Sequence, residues 1–293
     1  MLKQLSVYST NMIGYDRPMP KKHTSFKDTY GPWAVIAGAS EGIGRAFSRA
    51  LASRGLNLVL IARTKAKLET LAVEIESGYG VETRIVNKDL SHPDMLNSIA
   101  GTTDELDIGL LVYNAALSHP APFLDITPDR HEKLIRTNCR GPLLLTYHFA
   151  ERFKVRAQAT DRRAGIILLS SMSGFQGSPY VANYAASKAY NMTLAEGLWY
   201  ELRPYNIDVL TSCPGPTDTP GFRQSLKGSS PPAFPPVTPP EQVAESALTN
   251  LGKRPLVVPG KVNQAAVFFM KRFFSRRKGV EITGKKTGGM YSS

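Results

Sequence analysis

Short apolar runs alternate along this chain with segments of helical period. WAVIAG (33–38), LNLVLIA (56–62), IGLLVYN (108–114), GIILLSS (165–171) and IDVLTS (207–212) predict buried strands, and VETRIV (81–86) predicts a further one. Between them, Ile43, Ala46, Phe47, Ala50 and Leu51 form one stripe and predict a helix from Gly42 to about Ser53. Leu68, Leu71, Ala72 and Ile75 predict another over 65–77. Thr127 followed by Pro128 marks a helix start, and a long helix is expected over 183–203. Strands alternating with helices, with strands apolar throughout, imply an α/β fold: one doubly wound parallel sheet with helices on both faces.

The rhythm fails in two places. Residues 1–30 are polar and aperiodic and are expected to be an extension rather than a domain. Residues 214–240, PGPTDTPGFRQSLKGSSPPAFPPVTPP, are too rich in proline for a core element and are expected to form a lid, with Phe222 and Phe234 as its apolar points. Thr238, Pro239 and Glu241 predict a capped helix start at its end. The main domain is thus 31–260, followed by a basic amphipathic tail, 261–293.

Composition sharpens this picture only in part. With 42% hydrophobic residues in 293, the chain can bury a full core. The formal net charge of +12 sits mostly at the ends: 261–293 carry eight Lys or Arg against Glu281 alone, and 1–30 carry five against two acids. The body is near neutral, so a nucleic-acid partner is not expected. Two cysteines, Cys139 and Cys213, are too few for a disulfide framework or a zinc site; no metal is expected, and the expected compartment is the reducing cytoplasm. No apolar run reaches the roughly 20 residues that span a bilayer, and the N-terminus does not read as a signal peptide.

The first strand ends in GASEGIG, placing Gly38, Ser40, Glu41, Gly42, Ile43 and Gly44 at a strand-to-helix turn. Glycines there let the backbone approach a pyrophosphate, and the helix N-terminus aims its N–H groups at the phosphates. The second strand ends in IARTKAK, with Arg63, Lys65 and Lys67 and no acid before Glu69. A carboxylate at that place binds the ribose 2′-hydroxyl of NAD, whereas Arg63 can fork onto a 2′-phosphate, so NADP(H) is the expected cofactor. In VANYAASKAY (181–190), Tyr184 and Lys188 stand one helical turn apart.

With GASEGIG, YNAA (113–116) and YAASK (184–188), the chain resembles the short-chain dehydrogenase/reductase family over about 31–260, in a branch with bacterial members. The resemblance implies a Rossmann-like fold and four active residues: Tyr184, Lys188, Ser171 (with Ser170 and Ser173 as alternatives) and Asn138. It further implies Asp89 on the adenine side, Asn114 and Ala115 beside the cofactor, and a post-strand cofactor segment with Pro214, Gly215, Thr217 and Thr219. Ala37 and Ala116 depart from the family pattern and are expected to be tolerated.

These residues imply NADP(H)-dependent interconversion of a carbonyl and a secondary alcohol. On the resemblance, Tyr184 would donate the proton, Ser171 would hold the oxygen, Lys188 would acidify the phenol and anchor the ribose, and Asn138 would order a water. Met172, Phe175, Phe222 and Phe234 favour an apolar small-molecule substrate: an acyl, sterol-like or aromatic ketone. The alternatives are a non-catalytic NADP(H)-binding redox sensor and, less in keeping with the glycine spacing, a sugar-nucleotide epimerase. A homo-oligomer, dimer or tetramer, is expected. For 262–278, where Phe269, Met270, Phe273 and Phe274 stand beside five basic residues, the alternatives are peripheral membrane contact, packing on the domain to close the pocket, or a subunit contact.

Overall fold

The computed structural model describes residues 25–160, 162–226 and 235–291. Among them, seven parallel strands form one sheet of order β3-β2-β1-β4-β5-β6-β7. The strands are β1 (Trp33–Ala37), β2 (Asn57–Ala62), β3 (Thr83–Asn87), β4 (Ile108–Tyr113), β5 (Ala164–Leu169), β6 (Ile207–Ser212) and β7 (Leu256–Val257). The helices are α1 (Phe26–Tyr30), α2 (Gly42–Ala52), α3 (Lys65–Tyr79), α4 (Met95–Thr103), α5 (Pro128–Ile135), α6 (Gly141–Thr160), α7 (Ala182–Glu201), α8 (Pro220–Ser225), α9 (Pro240–Asn250), α10 (Lys261–Phe273) and α11 (Arg276–Tyr291).

Alternation along the strands builds two cores. Ala34, Ile36, Leu58, Leu60, Leu110 and Val112 face α2, α3 and α9, which bring Phe47, Leu71 and Ala247. Val35, Val59, Ile61, Leu111, Ile166 and Val209 face α4, α6 and α7, which bring Ile99, Phe149 and Ala195. Both faces are covered, which is why the central strands are buried at every position. The strand order reverses at β1, between β2 and β4, and this switch point opens a crevice at the carboxyl ends of β1 and β4.

Three expectations are corrected. Order begins before 31: Ser25 caps α1 with a reciprocal Asp28 capping box, and Tyr30 reaches the core, donating a 2.8 Å hydrogen bond to the buried Asp208 carboxylate. Residues 1–24 of the expected extension lie outside the described residues. Thr238 does not cap the next helix; Pro239 stands at that position, with no side-chain cap. Thr238 instead pairs with the segment after β6: its N–H donates to the Pro216 carbonyl, its carbonyl accepts from the Asp218 N–H, and its hydroxyl accepts from Asn263. The tail is two helices. Its phenylalanines do not pack on the domain: Phe268, Phe269, Phe273 and Phe274 stay exposed.

Of the expected lid, 227–234, including Phe234, lie outside the described residues, while α8 holds Phe222 half-buried behind the Thr219 cap. α4, α6 and β7 are not among the elements expected above, although Leu145, Phe149, Phe153 and Ala157 mark the buried stripe of α6.

Candidate active site

The glycine turn after β1 enters the crevice. Gly38 has φ +85°, and a Cβ there would lie 2.7 Å from the Ala115 backbone nitrogen. At Gly44 a Cβ would lie 1.9 Å from the Gly38 carbonyl oxygen, which already accepts a 2.9 Å bond from the Asn114 carboxamide. At Gly42, with φ +54°, a Cβ would lie 2.8 Å from the side chain of Thr219, whose hydroxyl caps α8. Gly38, Gly44, Asn114, Ala115 and Thr219 therefore meet at one cradle, with Ser40, Glu41 and Ile43 along its edge. α2 begins here with no side chain capping its N-terminal N–H groups. Bare backbone, free N–H donors and a positive dipole end fit a dinucleotide pyrophosphate. Ala116 has no positive φ, so alanine fits in place of glycine.

Around the cradle, charges sort by partner. Lys67 binds Glu41 at 2.6 Å and Lys65 faces Glu69 at 3.6 Å. The Arg63 guanidinium has no side-chain partner among the described residues and is exposed at the end of β2. Asp89 accepts from the Ser91 N–H and hydroxyl and pairs with Lys133 at 3.1 Å. Burial alone raises its carboxyl, but the Ser91 bonds and Lys133 outweigh that and hold it below the usual carboxylate range. In the segment after β6, the Pro214 carbonyl accepts from Met172 N–H, Gly215 packs against Met172 and Asn263, and Thr217 donates to the Gly215 carbonyl. These bonds hold the segment against the end of β5.

Tyr184 and Lys188 lie on one face of α7, with Lys188 Nζ 5.6 Å from the Tyr184 ring centroid. Lys188 is 3% exposed, and its Nζ donates a 2.7 Å bond to the Leu169 carbonyl at the end of β5. Burial pushes this ammonium down to about 8. The turn after β5 packs directly on this face: a Cβ at Gly174 would lie 2.9 Å from the Lys188 backbone. The serine alternatives separate by their bonds. Ser170 gives its hydroxyl to the Lys188 carbonyl at 2.6 Å. Ser173 gives both its N–H and its hydroxyl to Ser171 Oγ. Ser171 thus keeps a proton to donate.

Asn138 sits in a single π-helical turn, Arg136–Arg140, between α5 and α6. It is fully buried. Its carboxamide accepts from the Leu117 N–H and donates to the Leu117 carbonyl and to Ser187 Oγ, while its own carbonyl accepts from Asn191. Both amide protons are therefore committed, and a water held by Asn138 must bind one of its oxygens.

Sequence reasoning did not single out the side chains that surround Tyr184. A small recess beside Tyr184 is lined by His119, Phe123, Ile126, His131, Leu134 and Tyr180. α11 packs beside this recess: Gln176 donates to the Gly279 carbonyl and the Thr283 hydroxyl, Gly284 packs on Pro179, and Gly288 packs on Tyr180. Tyr180, at φ +64°, is held in the left-handed region. Gly279, Gly284 and Gly288, spaced along one helix, are the one sequence signal for this contact.

A parallel sheet with a glycine cradle at its switch point, and a buried lysine under a tyrosine beside it, defines a dinucleotide-binding oxidoreductase fold. The chain belongs to the short chain dehydrogenase family, which matches residues 32–229. It is 36% identical over 240 residues to a 7beta-hydroxysteroid dehydrogenase of Clostridium sardiniense, covering 82% of this chain and 90% of that one. A solved 7beta-hydroxysteroid dehydrogenase structure, 30% identical, superposes with a TM-score of 0.82 over 89% of this chain and 99% of the other. A short-chain dehydrogenase from Sphingobium yanoikuyae in complex with NADPH, 29% identical, gives 0.69 over 78% and 87%. The protein is thus an oxidoreductase that interconverts an alcohol and a carbonyl with a nicotinamide cofactor.

Proposed function

We propose that the protein is an NADP(H)-dependent ketone reductase or secondary-alcohol dehydrogenase for a bulky apolar substrate. The observation that carries the reading is the buried Lys188 ammonium beneath the Tyr184 ring, pinned to the Leu169 carbonyl. Gly38, Gly42, Gly44, Asn114 and the bare start of α2 would hold the pyrophosphate, Lys188 a ribose, and Thr219 the nicotinamide side. Arg63 would hold the 2′-phosphate, because Lys65 and Lys67 already face acids. When bound, the nicotinamide supplies or accepts the hydride.

In reduction, Tyr184 gives its hydroxyl proton to the carbonyl oxygen while Ser171 donates a hydrogen bond to the same atom. Lys188 stabilises the phenolate left behind, since a cation out of water acts strongly at short range. Asn138 positions a water that returns a proton toward Lys188. In oxidation the same groups act in reverse. Positioned acid–base chemistry of this kind contributes about 10² to 10⁴ in rate.

The substrate class rests on the recess beside Tyr184, whose walls include Phe123, Ile126, Leu134 and Tyr180, and on the hydroxysteroid relatives. A sterol-like ketone suits the apolar character of these side chains and the relatives. Retention of Tyr184, Lys188, Ser171 and Asn138 disfavours a non-catalytic sensor. The reading includes a cytoplasmic homo-oligomer. The test is oxidation of NADPH and of NADH by the purified protein across sterol-like ketones, acyl thioesters and small aldehydes. Turnover with NADPH on bulky ketones is expected; turnover confined to small aldehydes, or equal use of both cofactors, would remove the substrate or the cofactor assignment respectively.

A further inference from the structure

α10 is built inside out. Its domain-facing side carries buried Asn263, which donates to the Pro259 carbonyl, and Lys271, whose ammonium lies 4.4 Å from the Phe175 ring centroid. Its outward arc carries Val262, Phe268, Phe269 and Phe273, exposed by 45, 60, 55 and 65%. The three rings pack on one another, with centroids 5.6 to 6.4 Å apart, forming one apolar ridge rather than scattered side chains. Phe274, 42% exposed, continues the ridge into the junction with α11. An exposed apolar cluster of this kind marks a contact surface.

Charge decides what covers it. Arg272, Arg276 and Lys278 flank the ridge, exposed and without acidic partners among the described residues. α10 contains no acid, and the one acid of α11, Glu281, is paired with Arg277 at 3.0 Å. A second copy docked here about a two-fold axis would set these cations against themselves. A bilayer bearing anionic headgroups satisfies both features: rings enter the acyl boundary while the cations lie at the phosphates.

We infer that the α10 ridge docks the protein peripherally on an anionic membrane surface. No described helix is long and apolar enough to cross a membrane, so the contact is interfacial. Because α11 runs from this ridge to Pro179 and Tyr180, docking places the substrate approach at the edge of the lipid. The inference stands on the ridge and its charges and does not depend on the proposed substrate.

The test is co-sedimentation of the full chain with phosphatidylcholine vesicles, with and without phosphatidylglycerol. The wild type is expected to pellet with the anionic vesicles and to be released by salt. The pair Phe269→Ser/Phe273→Ser should lower the bound fraction about tenfold or more, and Arg272→Glu/Arg276→Glu should do likewise. Because all four side chains are exposed, melting temperature and turnover on a water-soluble ketone should hold. Wild type that stays in the supernatant overturns the inference, as does undiminished binding by the phenylalanine variant. If that variant instead converts a wild-type oligomer to a smaller species in sedimentation velocity, the ridge belongs to a second copy and the inference falls.

Discussion

Lys188 Nζ lies 5.6 Å from the centroid of the Tyr184 ring and is tied at 2.7 Å to the Leu169 carbonyl, so the helix register and a strand end together fix the ammonium beside the phenol. Neither contact alone would do this. The one-turn spacing puts the two side chains on a common face, and the carbonyl stops a flexible four-carbon stem from swinging away.

Removing the phenol tests the chemistry directly. Tyr184→Phe keeps the ring over Lys188 and removes only the hydroxyl. Turnover should fall by about 10² to 10⁴, while reduced-cofactor affinity, read by fluorescence titration, stays close to wild type. A variant retaining a tenth or more of the wild-type rate would mean another group delivers the proton.

Lys188 also predicts a stability profile. Its ordinary value of 10.5 falls to about 8 in the folded protein because burial penalises the charged form. Between those values the unfolded chain binds more protons than the native one, so stability rises with pH across that window; below about 8 both forms are protonated and the full burial cost is present. The shift corresponds to about 3 kcal/mol over the whole window. Urea unfolding at pH 7.5 and 9.5 should show the wild type gaining on Lys188→Met, a comparison in which other alkaline-titrating groups cancel. Parallel profiles would show that this amine does not titrate as a buried base.

Arg63→Glu addresses cofactor choice. Loss of a charge-assisted contact and gain of a repulsive carboxylate should raise the KM for NADPH about 10- to 100-fold and leave that for NADH nearly unchanged. Steady-state kinetics with both cofactors decides it. An equal rise for both would place Arg63 away from the 2′-phosphate.

Two glycines give opposite outcomes. Gly44→Ala forces a Cβ to within 1.9 Å of the Gly38 carbonyl and breaks up the Asn114 contact there, so it should cost about 1–3 kcal/mol and abolish cofactor binding. Gly101→Ala, in α4, meets nothing within 4 Å and should stabilise by up to about 1 kcal/mol. Thermal melts with and without cofactor check both, and a Gly44→Ala protein that binds cofactor normally would contradict the cradle.

Much of this was legible from local pattern because it depends on local physics. An apolar run buried on both faces reads as a parallel strand, so the bounds of β6 match the sequence expectation residue for residue. The choice among the serines is not resolvable that way: Ser170, Ser171 and Ser173 look alike in sequence, and only the acceptors within reach tell them apart. Thr238 misled for the same reason. Its sequence context offers a capping box, but the β6 segment and Asn263 compete for its polar groups and win.

By itself the sequence determined the α/β layering, the glycine turn that must meet a phosphate, and the tyrosine–lysine spacing, since periodicity, backbone freedom and helical register are properties of neighbouring residues. The tertiary structure alone decided that Tyr30 belongs to the core, that Lys67 meets an acid while Arg63 meets none among the described residues, and that α11 packs on Pro179 and Tyr180 while the α10 rings point away. Those outcomes depend on which distant groups compete for the same donor, charge or patch of surface, and that competition exists only once the chain has closed on itself.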